Sequence, residues 1–123
     1  MPKTRVVFWC DDSGKAPFVG WFAGLPEKAQ DKCLVRIERL QEFGHLLRRP
    51  EADYLDDGIY ELRINHLNVN YRILYFFHGQ QLVVFSHGVA TQQAAVPKAE
   101  MKTAIDRRKQ YTASPELHMY LEK

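Results

Sequence analysis

The sequence predicts an α+β fold in which helices pack on a small, antiparallel-rich sheet of about four strands. Residues 59–87 contain three short runs rich in β-branched and aromatic residues, separated by turn-type clusters at residues 65–68 and 78–81. This is the pattern of a three-stranded antiparallel meander. Amphipathic segments lie before and after it. The predicted order is therefore β-α-α-β-β-β-α, with the helices on one face of the sheet.

The part of the chain before the meander is predicted to form one strand and two helices. Residues 5–10 form the strand, which the turn-favouring residues 11–14 end. A short helix follows, because its large apolar side chains recur at spacings of three and four. The second helix begins at Pro26 and ends at Gly44. Because two helices separate the first strand from the meander, that strand can pair parallel to another strand.

The remaining segments complete a single predicted domain. Residues 45–57 are predicted to be a connector, and the third strand of the meander is predicted to end at Ser86. Pro97 opens the last helix. The domain is predicted to span residues 1–111, and residues 112–123 form a C-terminal tail.

Composition indicates a soluble globular protein: of its 123 residues, 46% are hydrophobic and 26% are charged, with a net charge of +2. No apolar run approaches the roughly 20 residues of a membrane span, and the N-terminus lacks the layout of a signal peptide. A cytoplasmic location without membrane contact is therefore expected. The motifs for phosphate-binding loops, structural zinc, zinc proteases and α/β-hydrolases are missing, so neither a metal nor a cofactor is predicted.

Two arginines, Arg63 and Arg72, stand inside otherwise apolar strands of the meander. An unpaired guanidinium is costly to bury, so each must find a carboxylate, reach solvent, or point into a site that requires positive charge. Arg63 has Glu61 two residues away as a partner that would hold the sheet together. Arg72 has no carboxylate near it in the sequence, which makes it the more unusual of the two.

Three segments occur in a fixed order: residues 57–63 (DGIYELR), 71–75 (YRILY) and 84–88 (VFSHG), followed by a helix that opens at Pro97 and carries an Arg-Arg pair. Taken together, they resemble the RelE/ParE toxin superfamily and, within it, the HigB-like, phage-derived branch. The resemblance covers roughly residues 5 to 111. It implies a RelE-like fold and the toxin component of a type II toxin–antitoxin system, neutralised by a cognate antitoxin. Well-known members of the superfamily cleave mRNA in the ribosome, so ribosome and mRNA are the implied targets.

The chemistry that the resemblance implies is a metal-free attack of a ribose 2′-OH on the adjacent phosphate. This reaction needs a proton acceptor, a proton donor and cations that stabilise the developing negative charge. Arg72 and Arg63 are the predicted cations, because a guanidinium engages phosphate oxygens in pairs and stays charged. His87 is the predicted general acid or base; the alternative is a hydrogen-bonded residue at a strand end.

Other basic residues are predicted to contact RNA phosphates, although charged helix faces are often only solvated. They are Arg48, Arg49, Lys98, Lys102 and Arg108.

One departure from the family pattern favours a different function. Where the HigB-like pattern has a lysine pair, this chain has the uncharged Thr91 and Gln92. Losing one such electrostatic contact costs about 2–4 kcal/mol of transition-state stabilisation. The alternative prediction is therefore a catalytically inactive or non-nuclease toxin-fold protein that binds an antitoxin or another protein target such as DNA gyrase.

Overall fold

A computed structural model describes residues 3–121, which form a five-stranded mixed sheet with helices packed on it. The helices and strands, in chain order, are β1 (Arg5–Phe8), α1 (Pro17–Ala23), α2 (Glu27–Phe43), a 3-10 turn (Gly44–Leu46), β2 (Ala52–Asp56), β3 (Ile59–His66), β4 (Val69–Phe77), β5 (Leu82–Thr91), α3 (Lys98–Ala113) and α4 (Pro115–His118). The predicted α+β class is confirmed, and the predicted order of elements matches except for two unpredicted elements, β2 and α4.

The meander forms the centre of the sheet, whose strand order is β1-β5-β4-β3-β2. Strands β3, β4 and β5 pair antiparallel, as predicted. Strand β1 pairs parallel to β5, which the two intervening helices make possible.

Strand β2 was not predicted, and it brings the strand count from about four to five. It lies within the predicted connector at residues 45–57 and pairs antiparallel with β3. Five residues, two of them aspartates, give a weak strand signal, and charged side chains are common on edge strands. Strand β5 also runs beyond the predicted end at Ser86, because residues 88–91 pair with the first half of β4.

The helices cover both faces of the sheet, so the prediction that they lie on one face is wrong. Helices α1 and α2 pack on the face that carries Leu62 and Ile73. Helix α3 packs on the face that carries Leu74 and Phe76. The physical reason lies in β4, whose residues are apolar on both faces and therefore need a covering layer on each side.

Gly88 allows α1 to approach the sheet closely. A Cβ atom at this position would lie 2.1 Å from Cδ2 of Trp21. Because Gly88 has no side chain, the indole ring of Trp21 can pack directly against β5.

The C-terminal segment is tied to the outer side of β1. The backbone N–H of Cys10 donates to the carbonyl of His118 over 2.9 Å, and that of Tyr120 donates to the carbonyl of Phe8 over 2.8 Å. These bonds protect part of an edge strand from pairing with another chain.

Among residues 3–121, no helix has both the length and the apolar character required to cross a membrane.

Candidate nucleic-acid interface

The two arginines of the meander share a single carboxylate. Arg63 and Arg72 are direct partners in the β3–β4 ladder, so they lie on the same face of the sheet, and Glu61 shares it. Nη1 of Arg72 donates to Oε1 of Glu61 over 2.6 Å, while Nε of Arg63 lies 3.7 Å from Oε2. Arg72 therefore has the stronger contact with the carboxylate.

Burial separates the two arginines further. Arg72 is 4% exposed and Glu61 is 1% exposed, whereas the Arg63 side chain keeps 30% of its surface accessible. Nη2 of Arg72 also donates to the carbonyl of Ala94 over 2.5 Å. Arg72, which has no carboxylate near it in the sequence, thus pairs with Glu61 of the neighbouring strand. Arg63 is the guanidinium that a ligand can reach.

Arg63 opens into a cavity of about 340 Å³, here called the arginine pocket. Arg36, which sequence reasoning did not select as a site residue, lines it from α2. Nη1 of Arg36 donates to the backbone carbonyl of Arg63 over 2.5 Å. A signal for Arg36 was present in the sequence, because Lys32, Arg36 and Arg39 recur at spacings that place them on one side of a helix. The lining residues of the pocket are Arg36, Pro50, Arg63, Ile64, Asn65, Asn70, Tyr71 and Arg72.

A second and larger cavity of about 750 Å³, here called the α3 groove, runs between α3 and the β2–β3 edge of the sheet. Arg72 lines both this groove and the arginine pocket, so it lies between the two cavities. Three of the predicted RNA contacts, Arg49, Lys98 and Lys102, line the groove. The structure thus brings these three residues together with Arg72.

The charge of the α3 groove is mixed. Nε of Arg49 lies 2.9 Å from Oδ2 of Asp53, and Nζ of Lys102 lies 2.8 Å from Oδ2 of Asp106. The hydrogen bond to Asp106 raises the pKa of Lys102, and the same bond lowers the pKa of Asp106. Two of the basic side chains along the groove are therefore neutralised by neighbouring carboxylates.

The other two predicted RNA contacts, Arg48 and Arg108, line neither cavity. Arg48 donates from Nη1 to the backbone carbonyls of His45 and Leu47. Nη2 of Arg108 lies 3.3 Å from Oδ1 of Asp57, in the turn between β2 and β3. Both guanidiniums therefore bind parts of the chain that lie outside the two cavities.

His87 is 8% exposed, and both of its ring nitrogens have partners. Nδ1 lies 2.7 Å from the hydroxyl oxygen of Ser86, and Nε2 lies 3.2 Å from Oε1 of Glu100 in α3. Burial, and next the positive charge of Arg107, lower the pKa of His87 against the opposing effect of Glu100. The imidazole is therefore neutral at neutral pH, the form that can accept a proton.

Arg107 is a second arginine that sequence reasoning left out of the site. Its guanidinium carbon lies 4.4 Å above the Trp9 ring, and Nη1 donates to the carbonyl of Ser86 over 3.2 Å. Burial lowers the pKa of Arg107. The sequence carries no signal for this contact, because it depends on how α3 docks on the sheet.

The segment after β5, which includes the uncharged Gln92, contacts Arg72 through the carbonyl of Ala94. Thr91 is the last residue of β5, and its hydroxyl accepts a hydrogen bond from the backbone N–H of Gln93 over 2.9 Å. The carbonyl of Gln93 in turn accepts from the Asn70 amide over 3.3 Å. This segment supplies carbonyl oxygens and no positive charge.

Comparison with known proteins assigns the chain to a family. Residues 20–109, most of the chain, match the family model described as Phage derived protein Gp49-like (DUF891). No curated protein matches the chain. The Gp49-like family is part of the RelE/HigB-type toxin-like group, a group that implies an antitoxin partner. By the extent of this match, the chain belongs to the phage-derived Gp49-like family of toxin-like proteins.

Proposed function

We propose that this chain is the toxin of a type II toxin–antitoxin pair, that it cleaves mRNA on the ribosome without a metal, and that a cognate antitoxin neutralises it. Membership of a toxin-like family supports the first part of the proposal. The observation that carries the second part is a cluster of four arginines and two glutamates around the arginine pocket. Its members are Arg36, Arg39, Arg63, Arg72, Glu51 and Glu61. Four positive against two negative groups leave two positive charges, which suits a phosphate group.

Within this site, Arg63 is the proposed catalytic contact. Its side chain is accessible, and a guanidinium can donate two parallel hydrogen bonds to the oxygens of a phosphorane. Arg72 is a positioning residue, because it is buried and acts through Glu61, which lies beside Arg63. The ion pair holds that carboxylate in place, and the carboxylate in turn orients the Arg63 guanidinium.

His87 is the proposed proton acceptor for the 2′-OH. Its lowered pKa keeps the ring neutral at neutral pH, as a general base requires. A carboxylate only accepts hydrogen bonds, so Nε2 carries the ring proton while it contacts Glu100. This nitrogen accepts the 2′-OH proton only after the contact opens and the ring proton moves to Nδ1. Activity is then expected to rise or persist when Glu100 is replaced by alanine, and to fall when His87 is replaced by glutamine.

The α3 groove is the proposed path of the RNA strand on the far side of Arg72. Lys98 lines this groove, just beyond the segment that lacks the lysine pair of the family. We assign to Lys98 the positive charge that Thr91 and Gln92 do not supply. Arg49 and Lys102 contribute less, since each already pairs with an aspartate.

Expression without an antitoxin tests this proposal. The wild-type chain is expected to arrest bacterial growth and to produce cuts in translated mRNA, mapped by primer extension. Arg63→Gln is expected to reduce the cleavage rate about 100-fold or more, as for loss of one preorganised donor. Lys28→Gln is the matched control, because it removes one exposed charge that lines neither cavity. A wild-type chain that neither arrests growth nor cuts mRNA would refute the nuclease proposal.

A second candidate function is a toxin-fold protein that binds its antitoxin or another protein target, such as DNA gyrase, without cutting RNA. It is favoured by the hydrogen bonds of Arg72, which donates to Glu61 and to the carbonyl of Ala94 and so has fewer donors left for a phosphate. Growth arrest without mRNA cuts, unchanged in Arg63→Gln, would support this second function and exclude the first.

A further inference from the structure

We propose that the arginine pocket binds a backbone phosphate of single-stranded RNA between two guanidiniums, those of Arg63 and Arg36, and that Arg36 of α2 is therefore an RNA contact. The inference rests on the RNA substrate of the proposed function, and it adds a contact from outside the sheet.

The hydrogen-bond partners of the arginines show which of them have free donors. The charge of Arg39 is paired with a carboxylate, since Nε and Nη2 donate to the two carboxylate oxygens of Glu51 over 2.7 and 2.8 Å. Arg36 makes one hydrogen bond, to the carbonyl of Arg63, and lies 3.8 Å from the same Glu51. A guanidinium has five N–H donors, so Arg36 retains most of its binding capacity.

The nearby carboxylates are already used by other arginines. Glu51 has Arg39 at 2.7 Å, and Glu61 has Arg72 at 2.6 Å. Arg36 and Arg63 keep only the longer ion-pair contacts, at 3.8 Å to Glu51 and 3.7 Å to Glu61, and among residues 3–121 no carboxylate lines the arginine pocket that both enter. Two like charges facing one cavity repel each other until an anion with several acceptor oxygens lies between them.

The rest of the lining favours a nucleic-acid phosphate over an acidic side chain of a protein partner. Asn65, Asn70 and Tyr71 accompany the arginines, and these residue types are common contacts to the phosphates and sugars of nucleic acids. A protein interface would require apolar anchors at its centre. Within the described part of the chain, Pro50 and Ile64 are the only aliphatic residues that line the pocket, which is therefore suited to a charged, hydrated group.

The test measures binding of a short single-stranded RNA that carries 2′-O-methyl groups and so cannot be cut. Fluorescence anisotropy is recorded at several salt concentrations, without ribosomes. Arg36→Gln is expected to weaken binding about tenfold, as for loss of one charged hydrogen-bonding partner. It is also expected to reduce the slope of the logarithm of the binding constant against the logarithm of the salt concentration by about 0.7 in magnitude, the contribution of one phosphate contact to a single strand.

Lys32→Gln is the matched control. Lys32 lies one helical turn before Arg36 and, like it, donates to a carbonyl of β3, that of Asn65 over 3.3 Å. It does not line the arginine pocket. The control removes the same charge and a comparable contact, and its effect on RNA binding is expected to stay below about twofold, as for a charge without a direct phosphate contact. Arg36→Lys tests geometry, because it keeps the charge and the salt dependence while losing paired hydrogen bonds.

Three results would overturn the inference: no RNA binding by the wild type, equal weakening by Arg36→Gln and Lys32→Gln, or unchanged RNA binding by Arg36→Gln together with weakened antitoxin binding. The third result would assign the pocket to a protein partner. Because the probe cannot be cut, binding through Arg36 without any mRNA cleavage in cells would refute the nuclease proposal and leave the phosphate site in place.

Discussion

Replacing Arg72 by methionine is expected to lower the free energy of unfolding by about 3–5 kcal/mol, because it leaves Glu61 as a buried carboxylate without its main partner. Both side chains are almost completely buried, and the ion-pair distance is 2.6 Å. Arg63 compensates little for the loss, since it lies 3.7 Å from the carboxylate and is partly solvated. The reverse change, Glu61→Gln, leaves an unpaired buried guanidinium and is expected to have a similar cost.

Urea unfolding followed by tryptophan fluorescence measures this effect. With a slope of about 2 kcal/mol per molar urea, a loss of 4 kcal/mol lowers the unfolding midpoint by about 2 M. The double variant Glu61→Leu/Arg72→Met is expected to recover to within about 1 kcal/mol of the wild type, because removing both partners also removes the desolvation cost. A double variant as unstable as the sum of the single variants would refute the reasoning. So would an Arg72→Met variant that loses less than about 1 kcal/mol.

This prediction also determines how activity data are interpreted. An inactive Arg72 variant reports either lost chemistry or lost folding, whereas Arg63 is partly exposed and its removal leaves the Glu61–Arg72 pair intact. Arg63→Gln is therefore the more informative variant for the nuclease proposal.

Three further predictions concern packing and protonation. Gly88→Ala is expected to destabilise the fold by about 1–3 kcal/mol, because the added Cβ overlaps Trp21. Gly20→Ala, with no atom within 4 Å of the added Cβ, is expected to stabilise α1 by about 0.5–1 kcal/mol. Thermal unfolding compares the two variants, and equal shifts in their melting temperatures would contradict the close contact. Because the pKa of His87 lies below its ordinary value of 6.5, the unfolded chain binds a proton at this residue more readily than the folded chain. Stability is therefore expected to fall as the pH drops below 6.5, and to fall less in His87→Gln. Parallel profiles of stability against pH for the two proteins would refute this. Burial raises the pKa of the Cys33 thiol to about 11. At pH 8 a disulfide reagent is therefore expected to label this thiol only as fast as the chain unfolds, which is measured by labelling at increasing urea concentrations. Rapid labelling of Cys33 in the folded chain would contradict its burial.

The sequence predicted those parts of the fold that depend on local pattern. Strands β3 and β4 were recognised because they are short runs rich in β-branched and aromatic residues between turn-type clusters, and α2 because its apolar residues recur at helical spacing. Strand β2 escaped prediction because its five residues are half polar and its pairing with β3 is a tertiary contact. The same limitation applies to the site, where Arg63 and Arg72 were selected but Arg36 and Arg107 were not.

The sequence by itself determined that Glu61 and Arg63 would lie on one face of their strand, because side chains in a strand alternate with a period of two. It also indicated that β4 would be covered on both sides, because residues on both faces of this strand are largely apolar. Only the tertiary structure decided that Glu61 neutralises Arg72, that Arg63 remains accessible, and that Arg36 joins it from α2. These contacts depend on the register between strands and on how the helices dock. Register and docking are set by packing between residues far apart in the chain, which no local pattern records.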